Sequence, residues 1–339
     1  MEGGEGEEKK QQLVEGEKGE EEERPSRLQP PALGTNPWLV YSHGKRYRNQ
    51  SFYDVSGGSC HLKSIPEMRN KLIWNYSYGW LILSHASKDG TTLPKKDRDC
   101  SLLNLISMQN IKLPRMTNFA TSYVLLSRPP NDPNCYVMCF PLEKQCVIFC
   151  KVGDVEWIEK ELQDLGLRPD EEDYLGCVST YDGQIHMLRS NKLFLVEIED
   201  YHVTCTDLQI ERSRRPQLSP RVQHLQSMVE SSGELFLIYI FDFGRYFNHF
   251  EIMKLDSENK KWVSVQNLKD RAIFINLHGG PIASISTKEF SGLKENTIYF
   301  TLPEDRFLYH YNLEERRVAI CMPCPNVTQN WHQPMWFFP

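Results

Sequence analysis

Residues 275–284 read INLHGGPIAS, a His-Gly-Gly-Pro run at the end of an apolar, strand-like segment. In serine hydrolases such a run forms an oxyanion loop, whose backbone N–H groups stabilise the charge of a tetrahedral intermediate. That chemistry also needs a nucleophile in a Gly-x-Ser-x-Gly elbow, and the chain has none. Hydrolases with this loop carry nucleophile, acid and histidine after it, yet only 58 residues follow Pro281. The simpler expectation is a turn at Gly279, Gly280 and Pro281 that joins RAIFIN to ASIS.

Cysteines are the next candidates. Cys135 and Cys139, then Cys146 and Cys150, form two close pairs. Four thiolates can bind zinc. Both pairs fall in alternating segments, however, where positions i and i+4 lie about 13 Å apart. A small apolar core role is expected instead. Cys321 and Cys324 sit in CMPC, followed by Pro325. A redox pair of that spacing belongs at a helix N-terminus, where the dipole lowers the thiol pKa; this one follows a strand and enters a Pro-rich loop. The remaining cysteines are Cys60, Cys100, Cys177 and Cys205. No apolar signal segment follows Met1, so reduced thiols are expected throughout, and the sequons at Asn49, Asn75 and Asn326 are read as chance matches.

The stretch ERSRRPQLSPR at 211–221 carries Arg212, Arg214, Arg215 and Arg221. It reads as a solvated loop. The sharper alternative is a nuclear-import or phosphate-reading patch, with Ser219 before Pro220 as a proline-directed phosphosite. Glu171, Glu172 and Asp173 read as solvated surface. No HExxH, Walker or GxGxxG pattern occurs. No catalytic residue, metal ligand or cofactor site is assigned.

The elements that would carry any site form a repeat. A short inner strand opens each of six units: PWLVYSH at 37, GWLILSH at 79, CYVMCF at 135, GQIHMLR at 183, GELFLIYI at 233 and NTIYFTL at 296. Two alternating apolar segments around a polar turn follow each one, beginning at 52, 102, 147, 193, 251 and 308. This is the hairpin signature. The starts lie 50, 45, 46, 58 and 57 residues apart, the spacing of one four-stranded propeller blade. A fourth strand precedes each inner one: LIWNYS at 72, SYVLLS at 122, GCVSTY at 176, HLQSMVE at 224 and RAIFIN at 271. The first unit lacks it, and the chain ends in MWFFP, 335–339, which is expected to pair with the first blade and close the ring. The expected fold is an all-β, six-bladed β-propeller, with seven blades open if RAIFIN and ASIS belong to separate sheets. VEWIEKELQDLG at 155–166 has helical spacing but overlaps an outer strand, so one of the two must yield.

Charge divides the chain in two. The net charge is −6, and residues 1–24, with ten Glu, three Lys and Arg24, account for all of it. The rest holds 35 acids against 35 bases, which leaves no electrostatic footprint for nucleic acid. Residues 1–35 are Glu-, Gly- and Pro-rich and are expected to be disordered; residues 36–339 form the propeller. The tail is too acidic for an organellar transit peptide, and no apolar run is long enough to span a membrane. A cytoplasmic or nuclear location is expected.

The segments DRAIFINLHGGPIASISTKEFSGLKENTIYFT (270–301), NPWLVYSHGKRYRNQSFYDVSGGSCHLKSIPEMRNKLIWNYSYGWLIL (36–83) and the closing MWFFP resemble the plant KIB-type, or F-box-associated, β-propeller family. The resemblance covers about residues 36–339. It implies a propeller that recruits a target protein. In many members an F-box helix bundle docks the propeller onto a Skp1–cullin ubiquitin ligase. Residues 1–36 offer Glu, Gly and Pro in place of an F-box, so any link to a Skp1-type adaptor is expected to be indirect. The family implies no catalytic residues.

A non-catalytic protein-interaction module is therefore expected, with no nucleic acid or membrane partner. The alternatives are a decoy that competes with F-box relatives, or an enzyme with its site in the propeller channel, for which His186 and His43 are the main candidates. The expected partner-facing segments are 43–51, 86–100, 128–134 and 242–250; in the last of these Arg245, Tyr246, Phe247 and Phe250 are the candidate anchors, the alternative being a turn whose rings pack on the neighbouring blade.

Overall fold

Many strands of this chain are apolar on both sides. YVMCFP at Tyr136–Pro141 is buried along its whole length, and a sheet built from such strands needs cover on both faces. Stacking blades side by side around an axis supplies it. In a computed structural model the described residues are 28–339, except 87–97, 117–121, 143, 168–173, 212–222, 243–246, 278, 279, 281, 303, 304 and 329. The Arg-rich stretch 212–221 and the acidic triplet Glu171, Glu172 and Asp173 lie outside them, as do residues 1–27 of the tail.

The first blade takes β1 (Trp38–His43), β2 (Asn49–Asp54) and β3 (Ser59–Lys63). The second has β4 (Lys71–Ser77), β5 (Trp80–His85), β6 (Arg98–Asn104) and β7 (Asn110–Met116). The third has β8 (Ser122–Leu126), β9 (Tyr136–Pro141), β10 (Cys146–Lys151) and β11 (Ile158–Glu161). The fourth has β12 (Leu175–Tyr181), β13 (Gln184–Arg189), β14 (Lys192–Glu199) and β15 (His202–Asp207). The fifth has β16 (Gln223–Ser231), β17 (Glu234–Asp242), β18 (Phe247–Asp256) and β19 (Lys261–Val265). The sixth is β20 (Arg271–Asn276), β21 (Ala283–Ser286), β22 (Thr297–Thr301), β23 (Leu308–Asn312) and β24 (Arg317–Cys321), and β25 (Met335–Phe337) ends the chain.

Six sheets form, so the count is six: RAIFIN and ASIS are antiparallel neighbours in one sheet, β20 against β21. The strands read from the sequence as inner are corrected to second place. Their predecessors β4, β8, β12 and β16 stand at the inner edges, next to one another around the axis. The helical reading of 155–166 also yields. Ile158–Glu161 is an edge strand, and only Leu162–Leu165 winds, as a 3-10 turn that ends on Gly166 in the left-handed region.

The sixth blade departs from the repeat. Its order is β21-β20-β22-β23-β24, and β20 runs parallel to β22. After β20 the chain returns along the inner edge as β21 before β22 begins; His278, Gly279 and Pro281 of the HGGP run lie outside the described residues. From β22 onward, the strands of this blade therefore run opposite to their counterparts in the other five.

Six apolar clusters fill the seams between neighbouring blades. Val40 and Phe337 meet Leu81 and Leu103 between the first and second blades. Ile82 and Leu102 meet Val137 and Ile148 in the next seam. Phe149 meets Met187, Leu188 meets Leu237, and Ile238 meets Ile298 further round. Leu39 and Trp336 meet Phe274 and Tyr299 where the ring closes. Cys100, Cys135, Cys139, Cys146 and Cys150 all pack in the seam between the second and third blades. They do so as small apolar groups, and burial pushes the Cys135 thiol up to about 11 and the Cys146 thiol up to about 12.

Closure comes from β25, which pairs antiparallel with β1: Trp38 with Phe337, Leu39 with Trp336, Val40 with Met335. Trp336 is fully buried, and its indole N–H donates to the Ile275 carbonyl at 3.0 Å. Asn276 at the end of β20 donates to the Pro334 carbonyl at 2.9 Å, so the last blade holds the strand that completes the first. A second tie is covalent. Cys60 on β3 forms a disulfide with Cys324, 264 residues away. This corrects the expectation of reduced thiols throughout, and it separates Cys324 from Cys321, its neighbour in CMPC. Leu33 packs on the seam between the first two blades, and Asn36 donates to Asp54 at 2.9 Å, so the order of the chain begins before Trp38.

Two outcomes are expected. Removing residues 335–339 uncovers a seam and deletes three buried side chains, each worth about 2 kcal/mol, together on the scale of a whole domain's stability. The melting temperature should fall by more than about 10 °C; an unchanged value contradicts closure through β25. Reduction of the disulfide should cost about 2–4 kcal/mol. A reductant should therefore lower the melting temperature of the native chain and leave Cys60→Ser unaffected; equal response of both contradicts the Cys60–Cys324 tie.

Candidate functional site

Two places in the ring can meet a ligand: the central channel and the loop faces. The channel is a cavity of about 80 Å³ between the inner strands. Tyr76 of β4, Tyr123 of β8, Ser179 of β12 and Ser227 of β16 line it, with Gly280 and Ile282 from the β20–β21 turn. Of the HGGP run, the described residue Gly280 thus lies at the channel. Gly280 has φ +115°, a backbone conformation that favours glycine, and it packs beside the flexible end of Met335 on the closing strand.

Four polar side chains of the wall, Tyr76, Tyr123, Asn75 and Ser77, stitch strands together, and the Ser284–Ser231 pair does so beside it. Tyr123 donates to the Gly176 carbonyl at 2.8 Å across to the fourth blade. The Tyr76 hydroxyl donates to the Phe338 carbonyl, and Asn75 donates to the Val124 carbonyl. Ser284 of β21 donates to Ser231 of β16 at 2.8 Å. Burial pushes the Tyr76 hydroxyl up to about 12 and raises Tyr123 and the Cys177 thiol. No carboxylate, histidine, lysine or arginine lines this cavity among the described residues. His186 is buried within β13, and burial lowers its pKa. His43, at the end of β1, shares a 2.9 Å hydrogen bond with Ser51 on the neighbouring strand, and burial lowers it too. Neither lines the channel.

Strand alternation sorts the loops onto two faces. In the first five blades the turn from second to third strand and the connection to the next blade share one face, here the upper. Direct contact joins the two kinds of loop there: the Asn70 amide donates to the Arg46 carbonyl at 2.7 Å, and the Ala86 amide to the Asn70 carbonyl at 2.9 Å. β1, β5 and β17 end on the upper face, where segments 43–51, 86–100 and 242–250 begin, whereas 128–134 joins β8 to β9 on the lower face. The four segments expected to face a partner are thus not on one surface. Residues 87–97 lie outside the described residues, as do Arg245 and Tyr246, and Phe247 is a residue of β18. Phe250 is 4 % exposed and packs edge-on against Phe300 and Tyr311 of the sixth blade. Its ring fills a seam and is not presented to a partner.

The upper face also holds a feature that the sequence does not display. Lys45, Arg46 and Arg48 from the β1–β2 turn and Arg69 from the β3–β4 connection border a depression of about 330 Å³. The first three fall in a segment already singled out. Arg69 joins them through a 3-10 turn at Pro66–Met68, and no spacing rule links it to the others.

Comparison with known proteins agrees with the architecture. The KIB1-4 β-propeller family model matches residues 52–322. A candidate F-box protein of Arabidopsis thaliana is 29 % identical over 129 residues, which cover 35 % of this chain and 32 % of that protein. The chain thus spans about a third of that relative's length. Among solved structures, a candidate 6-phosphogluconolactonase from Bacteroides fragilis is 12 % identical with a TM-score of 0.44, covering 91 % of this chain and 99 % of its own. TolB from Acinetobacter baumannii is 9 % identical with a TM-score of 0.43, covering 91 % and 68 %. Apo AztD from Citrobacter koseri is 8 % identical with a TM-score of 0.38, covering 89 % and 98 %. None of these three carries an argument about what this chain does. The family match spans most of the chain and coincides with the six-bladed ring, and on that ground the chain belongs to the KIB1-4 β-propeller family.

Proposed function

We propose that this chain is a protein-recruiting propeller that binds a target protein on its upper face and performs no chemistry on it. The observation that carries this reading is the character of the channel wall. An enzyme of this fold needs acid, base or metal-ligating groups where a substrate can reach them. The described wall instead spends its two tyrosines, Asn75 and Ser77 on hydrogen bonds between strands. The upper face, by contrast, gathers three of the four long loop segments and offers the broad, rigidly supported surface on which propellers bind proteins.

The candidate F-box relative supports a role in bringing targets to a ubiquitin ligase. The proposed link from this chain to a Skp1-type adaptor is an indirect one, through a bridging partner.

The test is chemical cross-linking of the full chain to captured partners, followed by mass spectrometry. Lys45, Lys144 and Lys269 are exposed on the upper face, whereas Lys260 and Lys261 are exposed on the lower. Cross-links from the target should concentrate on the first three. Cross-links confined to Lys260 and Lys261, or the failure of any protein to be enriched over a control, would sink the proposal.

A further inference from the structure

The basic depression on the upper face has no ion-pair partner among the described residues. Lys45, Arg46, Arg48 and Arg69 are all exposed around it. None of the four forms an ion pair with a described residue. Glu67, the acid nearest to them in sequence, makes no ion pair with them either. The folded part as a whole is balanced, so this is a local excess of one sign in a concave site, where like charges repel until a counter-charge arrives.

The loop that carries the cations is held stiffly. The Gly44 amide donates to the Asn330 carbonyl at 2.7 Å. The Arg46 carbonyl accepts from Asn70, the Tyr47 carbonyl from the Gln50 side chain at 2.9 Å, and the Arg48 carbonyl from the Ser64 hydroxyl at 2.9 Å. The Tyr47 ring meets His332 edge-on, 6.0 Å between centroids. Arg46 (φ 56°, ψ 35°) and Tyr47 (φ 49°) lie in the left-handed region, which is costly for residues with a side chain and persists only where the surroundings enforce it. The same paired conformation recurs at Ser190–Asn191 and Asp200–Tyr201, where it makes tight hairpin turns. Here the tight turn sets Lys45, Arg46 and Arg48 around one depression.

We infer that this depression binds an acidic or phosphorylated segment of the recruited protein, with the guanidinium groups of Arg46, Arg48 and Arg69 and the ammonium group of Lys45 receiving its carboxylate or phosphate oxygens. Guanidinium forks pair with both oxyanions in two-point geometry, and arginine clusters are the recurring solution for such motifs. The four cations sit in one depression of a folded part with no net positive charge, which suits a short peptide segment and not the extended track of a nucleic acid. The inference rests on the recruitment reading above and names the chemistry of the recruited partner.

The test uses the full chain and three fluorescent peptides of one sequence: one with two phosphoserines, one with glutamates there, one with serines. Fluorescence anisotropy should show binding of the first or the first two, not the third, and binding should weaken with added salt. Arg46→Glu with Arg69→Glu should reduce affinity about tenfold or more, with an unchanged melting temperature because both side chains are exposed. Lys260→Glu with Lys261→Glu, on the opposite face, should leave affinity unchanged. Equal binding of all three peptides, an unaffected Arg46/Arg69 variant, or tighter binding of single-stranded DNA overturns the inference. So does peptide binding that emerges only after the ten glutamates of residues 1–24 are changed to Gln, which would make the chain's own tail the occupant. If a target is captured on the upper face and these peptides do not bind, recruitment stands and the anion site falls.

Discussion

A sheet that is apolar on both faces must be covered on both faces, and in this chain each blade finds its cover on the next. Such an arrangement has no natural end. It either leaves two apolar faces open or returns to its start. The return depends on three residues of β25, whose side chains fill the seams on either side of the first blade while its backbone completes that blade's inner edge. Asn276, Ile275 and Gly280 of the last blade hold that strand, and the disulfide from Cys60 to Cys324 spans the same junction. Both the channel and the upper face exist only because this junction is made.

The repeat and its hairpins were legible in the sequence because period-2 alternation with polar turns is a local signal. The order of strands within a blade was less so. WLVYSH and LIWNYS are both apolar runs, and periodicity cannot say which of two apolar strands stands nearer an axis. The parallel pairing of β20 with β22 was invisible for a different reason: β21 is a four-residue, half-buried ASIS that carries no strong strand pattern. The segment at 158–165 satisfied helical spacing, yet pairing with β10 outweighed it. The Cys60–Cys324 tie joins positions 264 residues apart, and no local pattern encodes such a distance.

The candidate site divides in the same way. Segment 43–51 could be singled out because it is polar, basic and lies between two strands. Phe250 could not be told from an exposed aromatic, since one residue of register decides whether a ring enters a seam or faces solvent. Arg69 belongs to the basic depression only through the path of the β3–β4 connection. The HGGP run had a catalytic look, yet its described residue, Gly280, takes a backbone conformation that favours glycine beside Met335 of the closing strand.

The reversed sixth blade has a consequence for recognition. A ring of equivalent blades offers a partner several rotational settings of nearly equal energy. Here the connection at 287–296 lies on the upper face where the other blades carry a second-to-third-strand turn, and β22 ends and β23 begins on the lower face. One sector of the ring thus differs in loop length, direction and composition from the rest. It acts as an index mark: a protein that settles on this surface meets one azimuth at which both the odd sector and the basic loop of the adjoining first blade are matched.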